Sequence, residues 1–506
     1  MKRSRPWAVP AALLAAGFAI RAALYFPLAA FPIDSDGVLA GLCAFQIGDG
    51  HYPAFFPGGS RLSAASCYVA AAYFRLLGPG RAGLALVGLT WALLYLIFSY
   101  AFLRAALGRR AANVAFLYAA VPAAAFVTVT YVPWAYGEIA ASCAATLWLA
   151  ALWRAQGRAW QRVAFGISAG FGIWISLQTL MIALPAFAWI ALSRRAPTVR
   201  EAPLALLGAV AGALPFWLGN VGRGFPSFTQ NWAALPAADP GMVWKNFVWL
   251  IGAPLPQLLF SGTSGWAAAV IAAGCVAAAA GFVLALRDRD RDTGATVGAR
   301  GAGVLLALVM VFSIGLYAAS QAGSIRGWTV RYIAPLYVAM PLLLGIGTCA
   351  WWRRQRWAAV ATAAALIVPN VLQYSLPGSP ARAVLTAQLQ TDAALRALLA
   401  RRHVTLVYGD YFLVYHLNFD SRRSVAGIPT VAVVDYLDYA ATLPPRGVRW
   451  ALLGQDRATL LAWARAADAR GSLTPVDGLE LFVAGEPAAG SGALLTTLRR
   501  ASLQVP

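Results

Sequence analysis

The stretch around which the rest of the chain is interpreted reads FPIDSDGVLAGLCAFQIGDGHYPAFFPG and spans residues 31–58. It carries three carboxylates, Asp34, Asp36 and Asp49, directly after an apolar run at 7–31. Only 12% of the 506 residues are charged, whereas soluble domains carry roughly 25%. Because long apolar runs recur along the chain, the composition predicts an α-helical membrane protein that crosses the bilayer many times.

Eleven apolar runs are long enough to predict membrane spans. They lie at 7–31, 84–103, 111–130, 138–153, 162–176, 177–193, 203–221, 265–286, 302–320, 332–350 and 357–373. The first run is longer than the core of a signal peptide and has no small-residue cleavage site, so we expect it to be retained. These runs define a transmembrane domain over residues 1–373.

The basic residues predict the direction of the spans. If the N-terminus is cytoplasmic, the cytoplasmic segments are the N-terminus and the regions near 104–110, 154–162, 194–201, 287–300 and 353–356. Each of them holds at least three Lys or Arg residues, which follows the positive-inside rule and explains the net charge of +21 without a nucleic-acid partner. An odd number of spans then places the C-terminal region outside. The Ala, Arg and Gly bias is typical of a GC-rich bacterial genome, which predicts an inner-membrane location.

The region after the last span differs from the rest because it mixes both signs of charge with short alternating segments. Strands are predicted at 404–408, 448–453 and 479–483, and helices at 410–417, 433–441 and 456–467. Such alternation is typical of a small α/β domain. We therefore expect an extracytoplasmic α/β domain at 396–506, joined by a linker at 374–395 that contains Pro377 and Pro380.

The first outer loop, residues 32–83, is predicted to lie on the membrane surface. Apolar residues at helical spacing predict two helices, near 38–46 and 68–77, that are too short or too polar to span the bilayer. The aromatic residues between them, at positions 52–56, suit contact with an acyl or prenyl chain at the interface.

The outer loop also contains two of the five cysteines, Cys43 and Cys67. They share an exported loop and could form a disulfide, but unpaired packing among apolar groups is the favoured interpretation. No CxxC pair or Cys/His cluster occurs in the sequence, so no structural zinc site is predicted.

Five carboxylates of the transmembrane domain fall on the predicted outer side: Asp34, Asp36, Asp49, Glu138 and Asp239. A carboxylate at a membrane edge is costly unless it is paired or hydrated, so Glu138, which opens a span near the outer interface, is a candidate site residue. Asp34 and Asp36 precede an apolar helix, where an Asp commonly caps the first turn. The alternative, which capping does not exclude, is that one of them is a general base for an acceptor hydroxyl.

Short motifs follow one another along the transmembrane domain. They are Asp36, GL at 41–42, PAFFPG at 53–58, YGE at 136–138, GIW at 172–174, LPFWLGN at 214–220, FPSF at 225–228 and RYIAPLY at 331–337. In this order they resemble the motifs of the bacterial GT-C membrane glycosyltransferases, the broad group that includes protein O-mannosyltransferase-like and aminoarabinose-transferase-like enzymes. The resemblance covers residues 34–337, and Gly37 and Ser66 depart from it where many relatives carry a second acid.

The resemblance implies a GT-C fold and the transfer of a sugar from a polyprenyl-phosphate donor to an extracytoplasmic acceptor, with inversion at the anomeric carbon. This reaction needs a base for the acceptor hydroxyl, cations for the departing phosphate and an apolar groove for the prenyl chain. Asp36 is the expected base, with Asp34 as the second candidate. The phosphate is expected to be bound by Arg331, Arg326, Arg61, Lys245 and Tyr332, and the sugar or acceptor by Glu138, His51 and Tyr136.

The residues also allow other interpretations. A transporter or flippase of lipid-linked sugars would carry ionisable residues near mid-bilayer, whereas these carboxylates gather at one face. A scaffold without catalytic activity would explain the missing second acids, which also leave a divalent metal cofactor without a supporting motif. Arg326 and Arg331 could extend to the interface without binding phosphate. Arg21, inside the first span, is expected to pair with Asp34 or Glu138.

Overall fold

A computed structural model describes most of the chain. The described residues are 7–30, 35–56, 62–131, 135–192, 201–228, 239–253, 255–256, 265–287, 295–320, 329–374, 380–430, 448–476, 478–485 and 494–498. Helices dominate the part before residue 375. They are α1 (Ala8–Ala30), α2 (Leu39–Gly48), α3 (Ala65–Leu77), α4 (Arg81–Leu107), α5 (Arg109–Ala115), α6 (Leu117–Ala120), α7 (Ala124–Thr130), α8 (Tyr136–Gln156), α9 (Ala159–Ile175), α10 (Leu180–Ala191), α11 (Ala202–Gly212), α12 (Leu214–Asn220), α13 (Pro240–Gly252), α14 (Trp266–Arg287), α15 (Ala299–Ala319), α16 (Thr329–Tyr332), α17 (Ala334–Arg354) and α18 (Arg356–Val371).

The length and composition of these helices test the predicted spans in part. Among the described residues, α1, α4, α14 and α15 are long and apolar enough to cross a membrane, and α11 with α12 forms a further candidate that bends by 58°. The predicted run at 111–130 is divided into α5, α6 and α7, with Pro122 in the break before α7. The chain therefore has the helices of a multi-pass membrane protein, while the number of eleven spans stays a prediction.

Helices α9 and α11 approach each other closely because each carries two glycines four residues apart. Gly166 and Gly170 lie on α9, and Gly208 and Gly212 lie on α11. A Cβ atom at Gly170 would overlap the carbonyl oxygen of Ala209, and the other three positions meet backbone atoms of the facing helix in the same way. Small residues at this spacing let membrane helices pack backbone against backbone.

We expect Gly170→Ala to lower the free energy of unfolding by about 1–3 kcal/mol, because the added methyl group has no space between the two helices. The midpoint of thermal unfolding in detergent measures this change. Gly315→Ala is the matched control, since Gly315 also lies within a helix but has no neighbouring atom within 4 Å of an added Cβ. Equal midpoints for the two variants would contradict the close packing of α9 and α11.

The C-terminal region folds around a five-stranded sheet. Its strands are β1 (Leu406–Gly409), β2 (Ala426–Pro429), β3 (Trp450–Gly454), β4 (Gly471–Val476) and β5 (Leu479–Ala484), in the order β2-β1-β3-β5-β4. Its helices are α19 (Pro380–Arg401), α20 (Tyr411–Asp420) and α21 (Arg457–Ala466). Strand β1 is parallel to β2 and β3, whereas β5 is antiparallel to β3 and β4. The predicted small α/β domain is confirmed.

Most of the predicted elements of this domain agree with the structure. The strands at 404–408, 448–453 and 479–483 correspond to β1, β3 and β5, and the helices at 410–417 and 456–467 correspond to α20 and α21. The predicted helix at 433–441 lies outside the described residues. Strands β2 and β4 were not predicted, because each contains both Gly and Pro, which are rare in strands.

Residues 380–395 of the predicted linker at 374–395 are helical in the structure. Helix α19 begins at Pro380, where a proline is tolerated since the first helical N–H has no partner within the helix. Leu395 and Leu399 of α19 are buried in the core of the α/β domain. The helix is therefore packed into that domain, while the bounds of the two domains stay a prediction.

The C-terminal domain and the outer loop lie on the same side of the helices. Phe419, near the end of α20, packs against the rings of Phe45 and Phe74, with centroid distances of 5.7 and 5.9 Å. Arg81, the first residue of α4, forms an ion pair with Asp420. These contacts agree with the predicted topology, which places the loop and the domain on one side of the membrane.

Candidate active site

The acidic part of the outer loop begins with a short 3-10 turn, Ser35–Val38, which contains the backbone of Asp36. Helix α2 starts directly after it, with Val38 as its N-cap residue and no hydrogen bond from a capping side chain. Asp36 is thus two residues away from the capping position of α2. Asp34 and the side chain of Asp36 lie outside the described residues, so the role of either carboxylate as a base stays a prediction.

Glu138 lies in the first turn of α8 and is buried, with 1% of its surface exposed. The hydroxyl of Ser66, in the first turn of α3, donates a hydrogen bond to its Oε1. The indole Nε1 of Trp91 donates in turn to Ser66 Oγ at 3.0 Å. The second oxygen, Oε2, is also buried and has no hydrogen-bond partner among the described residues. This oxygen therefore retains an unused capacity to accept a hydrogen bond.

The contact of Ser66 with Glu138 gives a reason for one departure from the GT-C pattern. Ser66, which departs from the resemblance noted in the sequence, supplies a hydroxyl that donates to the acid of another helix. A second carboxylate at Ser66 would face Glu138 directly, and two like charges at this distance could not both ionise in a buried site. Sequence reasoning missed the pair because its two residues are separated by 72 positions.

The structure brings four of the sequence motifs into contact with one another. They are PAFFPG in the outer loop, GIW, LPFWLGN and FPSF. The indole Nε1 of Trp174 donates to the carbonyl of Ala54 at 2.8 Å. The ring of Phe55 packs edge-on against Phe216, with a centroid distance of 5.9 Å. Asn220 Oδ1 accepts from the backbone N–H of Ser227 at 3.2 Å, which holds the FPSF segment in place. These contacts therefore pack the outer-loop motif against motifs from the later helices.

Of the aromatic residues at 52–56, which were predicted to contact a lipid chain, two are buried. Phe55 and Phe56 are buried in the protein core, with 6% and 5% of their surface exposed, so neither presents a free face to a lipid chain. Their burial follows from the contacts of this segment with α9 and α12, which periodicity within the loop could not indicate. Tyr52 is 73% exposed, as a lipid or ligand contact requires.

The other predicted site residues occupy several elements. Arg331 and Tyr332 are partly buried in α16, immediately before α17, and Tyr136 is buried at the start of α8. Lys245 is exposed on α13, and His51 is exposed in the loop after α2. Arg61 and Arg326 lie outside the described residues. Tyr136 and Glu138 both lie in the first turn of α8, and the joint action of the cations on a phosphate stays a prediction.

The sequence suggested that Arg21 pairs with Asp34 or Glu138. In the structure, Arg21 does not pair with Glu138. It is fully buried, and its guanidinium donates to the carbonyls of Gly17, Ala119 and Ala120 at 3.1, 2.6 and 2.7 Å. The carbonyls of Ala119 and Ala120 are at the end of α6, where the chain breaks before α7 and the helix supplies no further N–H donors. Arg21 thus donates hydrogen bonds to the carbonyl oxygens at the end of α6, whereas Glu138 accepts a hydrogen bond from Ser66.

Cys43 and Cys67 form a disulfide, which corrects the expectation that they pack unpaired. Their Cα atoms are 5.5 Å apart, within the usual range for a disulfide. The bond joins α2 to α3, so the helix that follows the Asp36 turn is fixed to the helix that carries Ser66. Cys143, Cys275 and Cys349 are not part of a disulfide.

The disulfide predicts a defined alkylation pattern. When the protein is unfolded without reductant, iodoacetamide should modify the three cysteines outside the disulfide, and after reduction it should modify all five, which mass spectrometry of the intact chain counts. Closing a loop with a sequence separation of 24 stabilises a fold by about 3 kcal/mol, so Cys43→Ser with Cys67→Ser should lower the unfolding midpoint. Cys143→Ser is the control for the alkylation count. Five modified cysteines without reductant would contradict the disulfide.

Comparison with known proteins gave similarity in structure only. No protein-family model matches the chain, and no curated protein matches it in sequence. The fold is similar to that of ArnT from Cupriavidus metallidurans bound to undecaprenyl phosphate, with a TM-score of 0.61, 16% identity, and coverage of 94% of this chain and 97% of that one. The apo form of ArnT gives a TM-score of 0.59 at 15% identity, covering 90% and 96%.

A more distant similarity is to the oligosaccharyltransferase of Archaeoglobus fulgidus, with a TM-score of 0.47 and 11% identity over 98% of this chain and 78% of that one. The ArnT comparison covers the helical part and the C-terminal domain together, so the similarity extends to the whole architecture. The chain therefore has a fold similar to that of ArnT over both its helical part and its small sheet domain, in agreement with the GT-C fold that its motif order predicts.

Proposed function

We propose that this chain is a membrane glycosyltransferase that moves a sugar from a polyprenyl-phosphate donor to an extracytoplasmic acceptor. The observation that carries the proposal is the hydrogen bond between Ser66 and Glu138. It joins α8 to α3, the disulfide joins α3 to α2, and α2 follows the turn that contains Asp36. A buried carboxylate and the acidic turn thus belong to one connected unit within a GT-C fold.

In the proposed reaction, Asp36 takes the proton of an acceptor hydroxyl, with Asp34 as the alternative base. The acceptor oxygen attacks the anomeric carbon from the face opposite the phosphate, so the bond to phosphate breaks and the configuration inverts. The released polyprenyl phosphate keeps the bonding electrons. Guanidinium and ammonium groups stabilise its charge, and the candidates are Arg331, Arg326, Arg61 and Lys245, with the hydroxyl of Tyr332. Glu138, Tyr136 and His51 are the proposed contacts of the sugar or acceptor.

The similarity to ArnT supports the class of the donor, because the ArnT structure contains undecaprenyl phosphate. A fold alone does not determine activity, so the sugar and the acceptor are left open. The proposed location is a bacterial inner membrane, with eleven spans, a cytoplasmic N-terminus and an outer C-terminal domain. The disulfide in the outer loop supports this orientation, since disulfides persist in oxidising compartments outside the cytoplasm.

Purified protein in proteoliposomes tests the proposal directly. The donor probe is undecaprenyl phosphate carrying a radiolabelled pentose or hexose, and the acceptor is an extract of bacterial envelope lipids and glycans. We expect label to move to the acceptor fraction while free undecaprenyl phosphate accumulates. Label that crosses the bilayer still attached to its lipid would identify a transporter instead. Binding of donor without turnover in any acceptor fraction would identify an inactive scaffold.

A further inference from the structure

Helix α20 of the C-terminal domain is shared between two hydrophobic cores. Tyr411, Tyr415 and Phe419, spaced four residues apart, lie on one face of the helix and are buried in the core that contains α2 and α3. Val414 and Leu417, on another face, are buried in the core of the α/β domain. Because both faces are covered, α20 forms a rigid connection between the C-terminal domain and the outer loop.

The contact of Phe419 with the outer loop depends on a glycine. The Phe419 ring lies directly over Gly41 of α2, where a Cβ atom would overlap ring carbons. Phe45 and Phe74 complete the pocket around the ring. The GL motif at 41–42 therefore has a local explanation here, since only glycine lets the aromatic ring reach the backbone of α2.

Two ion pairs also connect residues of the C-terminal domain to the outer loop and to the start of α4. Arg81 binds Asp420 with two hydrogen bonds, from Nε at 2.9 Å and from Nη2 at 2.5 Å, and both side chains are mostly buried. Arg423 pairs with Asp49 at 2.6 Å, and its guanidinium lies 5.0 Å from the centre of the Phe45 ring. The two-bond geometry of the first pair gives it directional specificity.

The same helix also packs against the 3-10 turn Ser35–Val38, which contains the backbone of Asp36. The loop that would carry the base is thus in contact with the C-terminal domain on one side and is fixed through α2 to α3 on the other. Catalytic groups must be held within fractions of an ångström, and this is achieved by packing around them. The domain supplies part of that packing.

We infer that α20 is a positioning element for the transfer reaction. Phe419 and the Arg81–Asp420 pair hold α2 and the turn with Asp36 in the geometry that the reaction needs, so the C-terminal domain acts on the chemical step as well as covering the site. This inference rests on the proposed function. It predicts that changes at this contact, away from the substrate, lower kcat without a comparable change in the KM of the donor.

The test compares purified full-length variants in the transfer assay. Phe419→Ala, Arg81→Asp and Asp420→Arg should each lower kcat by about 10- to 100-fold, the cost of a small misplacement of catalytic groups, and should change the donor KM by less than about threefold. The double variant R81D/D420R restores the ion pair in reverse and should recover most of the lost kcat. Arg162→Asp is the matched control, because Arg162 forms an ion pair with Glu201, and neither residue belongs to the outer loop or to the C-terminal domain.

Hydrogen exchange separates positioning from unfolding. In Phe419→Ala, the amides of residues 35–48 should exchange faster, while those of β1 and β3 keep their protection because the domain remains folded. The inference is overturned if the three single variants keep kcat within about twofold of the unchanged protein while Asp36→Asn abolishes transfer. It is also overturned if β1 and β3 lose protection together with the loop and the double variant recovers no activity. Absence of transfer by the unchanged protein would instead reject the proposed function, and this inference with it.

Discussion

Replacing Asp36 with Asn is expected to lower kcat for sugar transfer by about 1,000-fold, because the variant can no longer accept the proton of the attacking hydroxyl, and a positioned base contributes between 10² and 10⁴. The substitution preserves the shape of the side chain. The backbone at this position forms a 3-10 turn that packs against α20, so the fold of the turn should persist. Donor binding should therefore remain close to that of the unchanged protein.

The measurement is single-turnover release of labelled sugar from undecaprenyl phosphate, with donor binding measured separately. Asp239→Asn is the matched control, since Asp239 is another carboxylate on the predicted outer side and is placed at the start of α13. Full turnover in Asp36→Asn combined with loss in Asp34→Asn would move the base to Asp34. Full turnover in both variants would rule out a base from this loop.

The second large effect is expected at Glu138. The variant Glu138→Gln keeps Oε1 as the acceptor for Ser66 and replaces Oε2 by an NH2 group. If Oε2 accepts a hydrogen bond from the sugar or the acceptor, kcat/KM should fall by about 10- to 100-fold, which is the effect of losing one hydrogen bond to a charged group. The unfolding midpoint should stay the same or rise, because a buried charge is costly.

Ser66→Ala is the companion variant because it changes the same cluster but should lower the stability of the fold. It removes the donor to Glu138 Oε1 and the acceptor for Trp91 Nε1, and leaves both groups buried. We expect it to lower the free energy of unfolding by about 1–3 kcal/mol for each group left without a partner. Glu138→Gln with unchanged kcat/KM and a higher midpoint would show that Glu138 is structural and does not contact substrate.

The accuracy of sequence reasoning differed between local and non-local features. The helices of the outer loop and the strands β1, β3 and β5 were predicted because each depends on the spacing of neighbouring apolar residues. The disulfide between Cys43 and Cys67 was considered but not favoured, and the hydrogen bond between Ser66 and Glu138 was missed. Each of those contacts depends on how separate helices pack. A single sequence contains no direct signal for that packing.

Arg21 illustrates the same distinction within a single residue. Its position inside an apolar run correctly indicated that its charge needs partners. Arg21 binds carbonyl oxygens and not a carboxylate because the break between α6 and α7 leaves carbonyls without donors. Arg21 reaches those carbonyls only because α1 packs beside the break. Phe55 is a similar case, because its aromatic character suggested a lipid contact, whereas its burial results from the approach of Phe216.

The sequence by itself determined that this chain is a multi-helix membrane protein with a small α/β domain and motifs in GT-C order, because hydropathy, charge placement and strand alternation are properties of neighbouring residues. Only the tertiary structure decided that the acidic loop is bound on two sides, by the Cys43–Cys67 disulfide to α3 and by Phe419 to the C-terminal domain. These contacts join residues far apart in the chain. Their free energy depends on the shapes of surfaces that exist only after the helices have packed.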